Sequence, residues 1–202
     1  MSAGLPERCE LVSWGQVRRW SRNVAARVRT DGPPDLVVAI ARGGYVPARL
    51  VCDYLDLTWL ESIRLVHYDP GGRRRRGVEL ATPLHCDIRG RRVLLMDDVA
   101  DTGDTLEMAR DHLLSLGPAS VRVAVLLHKQ GARLRPDVAG HHIRRWRWTT
   151  FPWAAIEDLG AFVAALPRRP ATPAEARAAL REHLGLRVPE ALLRDVLQFR
   201  PG

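Results

Sequence analysis

The sequence predicts an α/β fold, a mainly parallel sheet with helices on its faces. Three short apolar runs carry that expectation: Leu36–Ile40 (LVVAI), Val93–Met96 (VLLM) and Val121–Leu127 (VRVAVLL). They are rich in β-branched residues and nearly continuous, as strands buried on both faces are. Stretches of helical periodicity separate them, which is the pattern of strand–helix–strand units.

In chain order, Ser13 is placed to cap a helix running to about Val28, with Val17, Trp20, Val24 and Val28 on one stripe. Asp31-Gly32-Pro33-Pro34 breaks it. The LVVAI strand meets Gly43-Gly44 at once, and a helix follows from about Pro47 to Leu55. Ile63–Val66 reads as a strand. Asp69–Pro83 reads as a long polar loop with Gly71-Gly72 and four arginines, Arg73 to Arg76. VLLM ends in Asp97-Asp98, and a helix is expected from Thr102 to about Leu116, closed by Gly117-Pro118. After VRVAVLL, His142–Trp148 alternates weakly, as an edge strand would, and Trp153–Leu166 is helical in pattern. Pro167–Pro173 is a break. Thr172 then caps a helix Pro173–Leu184, and Pro189–Leu197 forms another. The expected organisation is a body, 1–166, with a small hood at 128–155, and a helical extension, 167–202.

Composition excludes several classes. Hydrophobic residues are 46% of 202 and charged residues 27%, which supports one sizeable core and argues against wholesale disorder. No apolar run approaches the roughly 20 residues that span a bilayer, and the first residues lack a signal-peptide pattern, so a cytoplasmic location is expected. Cys9, Cys52 and Cys86 are isolated and read as reduced thiols, Cys52 packed in a core helix. The net charge of +8 is carried almost wholly by arginine. It fits an anionic small-molecule substrate or a solvated surface. Nucleic acid is the lesser reading, because no zinc finger, RNA-binding aromatic pair or helix-turn-helix accompanies the charge.

The informative local pattern is strand, acidic pair, small-residue turn, helix. Ligands of open parallel sheets bind beyond the carboxyl ends of the strands, where Asp97 and Asp98 fall. Ala100-Asp101-Thr102-Gly103-Asp104-Thr105 then enters a helix whose unpaired first amides suit a phosphate. The adjacent carboxylates repel unless sugar hydroxyls or a divalent cation relieve them. A helix N-cap at Asp101 or Thr102 is the plainer alternative for the turn alone.

The segment VLLMDDVADTGDTL resembles the phosphoribosyl pyrophosphate (PRPP) signature of type I phosphoribosyltransferases, whose fold is a Rossmann-like parallel sheet flanked by helices with a small hood. The resemblance implies that Asp97 and Asp98 meet the ribose hydroxyls and Mg²⁺. It implies that Asp101, Thr102, Gly103, Asp104 and Thr105 surround the 5-phosphate. Asp104 stands where the family often has a basic or small residue, so its side chain is expected to point to solvent. VVAIARGGYVPARL is similar to the pyrophosphate loop of xanthine-guanine phosphoribosyltransferases. By that likeness Arg42 and Gly43 bind pyrophosphate oxygens through a non-proline cis peptide. Gly71–Gly77 falls where the family carries its catalytic lid, with Tyr68 a lid residue or a packed strand terminus.

The same likeness implies the base. Lys129 matches the lysine that contacts the 6-oxo group of purines. Trp148-Thr149-Thr150-Phe151-Pro152-Trp153 resembles the segment in which a tryptophan stacks on the base, giving Trp148 as platform and Thr149 as a backbone contact. Ala154 departs from the acid usual there. Trp146 and Trp153 read better as core or interface aromatics. The implied reaction transfers 5-phosphoribosyl from PRPP to a 6-oxopurine with release of pyrophosphate, Asp101 and Arg42 being catalytic, in a homodimer or homotetramer. The competing readings are a PRPP-sensing regulatory or nucleic-acid-binding protein and a phosphoribosyltransferase for another base.

Overall fold

The structure is a computed structural model and describes residues 5–68 and 77–200. The chain forms two compact units, 15–145 and a unit that joins 1–14 to 146–202.

The larger unit holds a six-stranded sheet in the order β4-β3-β2-β5-β6-β7. Its strands are β2 (Leu36–Ala41), β3 (Leu60–Tyr68), β4 (Gly77–Thr82), β5 (Arg92–Ala100), β6 (Ser120–Lys129) and β7 (Val138–Ile143). All neighbours are parallel except β4, which runs antiparallel to β3 at the edge. The expected α/β class is therefore the observed one. The chain leaves β2 for β3 on one side and returns to place β5 on the other. Between β2 and β5 the strand order reverses, and it is at such a point that open α/β sheets bind ligands.

Helix α1 (Trp14–Thr30) turns Val17, Trp20, Val24 and Val28 inward, the stripe read from the sequence. Helix α2 (Tyr45–Leu55) follows β2, and α3 (Asp104–Ser115) follows β5. Leu106, Ala109 and Leu113 of α3 pack on Val38, Leu95 and Val123 of the sheet, all nearly without exposure. Each large apolar side chain buried there contributes about 1.5–3 kcal/mol, which fixes the register of helix on sheet.

Three sequence expectations need correction. The polar loop Asp69–Pro83 is in part a strand, because Gly77–Thr82 pairs with Arg64–Tyr68. Its half-exposed edge position removes the continuous apolar pattern that marks the central strands. The edge strand expected at His142–Trp148 is two elements, β7 and the short β8 (Trp148–Thr150), since Arg144–Arg147 leaves the ladder. Helix α3 starts at Asp104 rather than Thr102, because Gly103 sits at its N-cap with φ 94°.

In the smaller unit β1 (Cys9–Leu11) pairs in parallel with β8. A 3₁₀ turn (Pro152–Ala154) leads into α4 (Ala155–Ala164), followed by α5 (Pro173–Leu184) and α6 (Glu190–Phe199). Leu159, Leu180, Leu193 and Val196 form one fully buried cluster of these three helices. Helix α4 thus shares its core with the helices of the segment 167–202. Amphipathic stripes announce that a face is buried, not which element buries it. Thr172 caps α5 as expected, its hydroxyl accepting from the Glu175 N–H at 3.2 Å.

Candidate active site

The site is built at the carboxyl ends of β2 and β5. The peptide Ala41–Arg42 is cis, as the resemblance implied for this loop. Gly43 then passes against the second carboxylate: a Cβ there would lie 2.7 Å from Asp98 Cγ. Gly44 passes against the sheet itself, where a Cβ would meet the carbonyl oxygens of Met96 at 2.5 Å and Ile40 at 2.6 Å. Both glycines are dictated by close approach. One leaves room for a carboxylate and the other for backbone.

Asp97 and Asp98 close β5. Asp97 is buried at 9% exposure, and the Asp98 N–H donates to its Oδ1 at 2.9 Å. Burial holds the Asp97 carboxyl well above the ordinary carboxylate range. The Asp98 carboxylate beside it pushes the same way, and the donated N–H opposes both. A cation binding against the two carboxylates would relieve that repulsion. Among the described residues no group of three His, Cys, Asp or Glu side chains is arranged to hold a metal. Two carboxylates suit Mg²⁺ that brings its remaining oxygens from water and phosphate.

The turn after β5 carries Asp101 to Thr105 into the first turn of α3. Gly103 approaches the segment Arg133-Leu134, where a Cβ would lie 2.6 Å from the Leu134 nitrogen. Arg133 N–H donates to the Thr102 carbonyl at 2.7 Å, which pins the turn. Thr105 Oγ1 lies 3.4 Å from His67 Nε2. Asp104 is not simply solvated: its carboxylate lies 3.6 Å from Arg133 Nη1. His67 and Arg133 were missed from the sequence. They lie far along the chain from the turn they touch, and no local spacing marks them.

Lys129 ends β6 as a buried side chain, and its Nζ donates to Asp101 Oδ2 at 2.8 Å. The structure thus brings Arg42, Gly43, Asp97, Asp98, the 101–105 turn and Lys129 to neighbouring strand ends of one sheet. Trp148 and Thr149 belong to the smaller unit. There Trp148 is 39% exposed, meets Phe162 edge to face and donates from Nε1 to Asp158 at 3.0 Å. Trp153 stacks on Phe151, with ring centroids 4.8 Å apart, and leans on Trp14. Trp146 is half exposed and is not a core aromatic. The four arginines Arg73 to Arg76 lie outside the described residues, and Tyr68 is described only as the end of β3.

Residues 13–155 match the phosphoribosyl transferase domain family. The chain belongs to that family. Its place in the sequence and its sheet topology agree: this phosphoribosyltransferase is 34% identical over 151 residues to the xanthine-guanine phosphoribosyltransferase of Ruegeria sp. strain TM1040, covering 70% of this chain and 83% of the relative. Among solved structures it resembles a purine phosphoribosyltransferase of Pyrococcus horikoshii at 32% identity and TM-score 0.64, covering 72% of this chain and 93% of that one. A protein of Neisseria gonorrhoeae solved with bound ppGpp is similar at 25% identity and TM-score 0.64, covering 73% and 89%.

Proposed function

We propose that this phosphoribosyltransferase transfers the 5-phosphoribosyl group of PRPP to a ring nitrogen of a 6-oxopurine and releases pyrophosphate, a purine-salvage reaction. The carrying observation is the Lys129–Asp101 pair standing beside the Asp97-Asp98 strand end. A lysine can donate to an exocyclic oxygen, and a carboxylate can serve a ring nitrogen. The relatives named for xanthine, guanine and purine support the base class.

In this reading the amides and hydroxyls of Thr102, Gly103, Asp104 and Thr105, with Asp101, surround the 5-phosphate at the start of α3. Asp97 and Asp98 hold the ribose hydroxyls and the cation, and Arg42 and Gly43 hold the pyrophosphate. When bound with PRPP, Mg²⁺ supplies positive charge against the leaving pyrophosphate. Arg42 stabilises the same charge as the anomeric C–O bond breaks. Asp101 receives or returns the proton of the purine nitrogen as the C–N bond forms, and Lys129 orients the base through its 6-oxo group. By resemblance Trp148 stacks on the purine and the Thr149 main chain reads its edge. We further place the enzyme in the cytoplasm as a homodimer or homotetramer. Among the described residues no helix is long and apolar enough to cross a membrane.

The test is pyrophosphate release from PRPP and Mg²⁺ with xanthine, guanine, hypoxanthine, adenine or uracil, each alone. Release with at least one 6-oxopurine, and its loss on chelation of Mg²⁺, is expected. Release only with adenine or uracil would move the enzyme to another base. No release with any base, together with salt-sensitive nucleic-acid binding, would favour a PRPP sensor.

A further inference from the structure

Two histidines that the proposed reaction does not use face each other at the end of the sheet. His128 on β6 and His142 on β7 are directly opposed in the parallel register. Their Nδ1 atoms are 3.1 Å apart, and the rings meet edge to face with centroids at 5.2 Å. We propose that His128 and His142 form a binding site for a borderline transition-metal dication, of the Zn²⁺ or Ni²⁺ kind, distinct from the carboxylates assigned to Mg²⁺.

Three features carry the assignment. The first is the bite. At metal–nitrogen distances of about 2.0–2.1 Å, two nitrogens 3.1 Å apart subtend about 95–100° at the ion, between the octahedral and tetrahedral values. The second is the scaffold, since both Cα atoms are fixed by the same ladder, which runs from Ala124–Val138 to Lys129–Ile143. The third is the protonation state. A ligating imidazole must be neutral, and burial, the largest cause for each ring, holds both below the ordinary histidine range. The neighbouring charges of Arg135 and Arg27 act in the same direction.

Binding needs no net proton transfer. In the hydrogen-bonded neutral pair one Nδ1 carries the proton and the other accepts it. The donor ring shifts that proton to its Nε2, and both rings turn so that their Nδ1 lone pairs leave the N···N line and converge on the ion. Imidazole ligands suit Zn²⁺, Ni²⁺ or Cu²⁺, whereas Mg²⁺ demands oxygen. Among the described residues no third His, Cys, Asp or Glu completes the set. The remaining positions therefore take water or a ligand from solution, and Arg135 tempers the affinity. The site lies one residue before Lys129, and the His128 Cα faces Ala100 of β5.

Ni²⁺ titrated calorimetrically into the full chain, with excess Mg²⁺ occupying the oxygen sites, tests the proposal. The wild type should bind Ni²⁺, and His128→Gln and His142→Gln should each weaken binding at least tenfold. Loss of a partner outside the coordination sphere alone costs about 10–100-fold. Arg135→Gln should tighten it. A wild type that binds no Ni²⁺, or glutamine variants that bind like wild type, would overturn the proposal. Should a glutamine variant fail to fold, the arginine variant decides, because unchanged affinity in Arg135→Gln places the ion elsewhere. Pyrophosphate release in Mg²⁺ alone should be the same in all three variants, so failure of the purine assignment and failure of the metal site are read separately.

Discussion

Lys129 Nζ lies 2.8 Å from Asp101 Oδ2, so the end of β6 is tied to the turn that follows β5. The lysine is buried and the aspartate about half exposed. Removing the carboxylate takes one charge partner away from a buried ammonium, at a cost of about 1–3 kcal/mol. Asp101→Asn should lower the melting temperature modestly. Loss of a general acid/base should lower turnover by about 10²–10⁴-fold while PRPP binding persists. Unchanged turnover would refute the role given to Asp101.

Lys129→Met removes the cation and keeps the buried stem. The KM for the purine should rise, with the KM for PRPP little altered, as steady-state kinetics with each substrate varied would show. Equal rises in both would mean that the lysine acts by holding the Asp101 turn rather than by reading the base.

Asp97 sets a pH dependence. Its folded carboxyl titrates above the unfolded one, first through burial and then through Asp98. The folded state therefore binds the proton more tightly. The stability this adds is complete below the unfolded pKa of about 4 and is lost as pH rises through the raised folded value. The contribution of Asp97 to the melting temperature of the ligand-free enzyme should fall as pH climbs from about 4. Asp97→Asn keeps an oxygen for the Asp98 N–H and should flatten that decline, at the expense of PRPP affinity. A melting-temperature difference between Asp97→Asn and wild type that stays constant across the same range would contradict the burial of this charge.

The two loop glycines separate function from folding. Gly43→Ala drives a methyl group into the Asp98 carboxylate, and Gly44→Ala drives one into the carbonyls of Ile40 and Met96. Backbone cannot give way as a side chain can, so Gly44→Ala should cost about 1–3 kcal/mol. Gly43→Ala should mainly weaken PRPP binding. Denaturant melts and PRPP titrations on both variants check the contrast.

Thr172→Ala tests the cap of α5. The Thr172 hydroxyl accepts from Glu175 N–H, and Glu175 Oε2 accepts from Ala171 N–H at 2.8 Å. Loss of the cap should cost about 1 kcal/mol and leave pyrophosphate release per folded molecule unchanged.

Much of the molecule was legible in the chain because its signals are local. Continuous apolar runs mark strands covered on both faces, and LVVAI, VLLM and VRVAVLL are the central strands β2, β5 and β6. Adjacent acids at a strand end and a glycine before a helix follow from neighbours in sequence, so Asp97, Asp98 and the 101–105 turn could be named beforehand. Only the tertiary structure decided what distant residues do to one another. It paired Lys129 with Asp101 and Asp104 with Arg133, set Gly43 against Asp98, opposed His128 to His142, and gave α4 to the helices after it. The edge strand β4 escaped notice for a related reason: a half-exposed strand owes its pairing to the neighbour beside it more than to its own pattern. Periodicity specifies that a face must be buried, whereas the partner is chosen by the path of the whole chain.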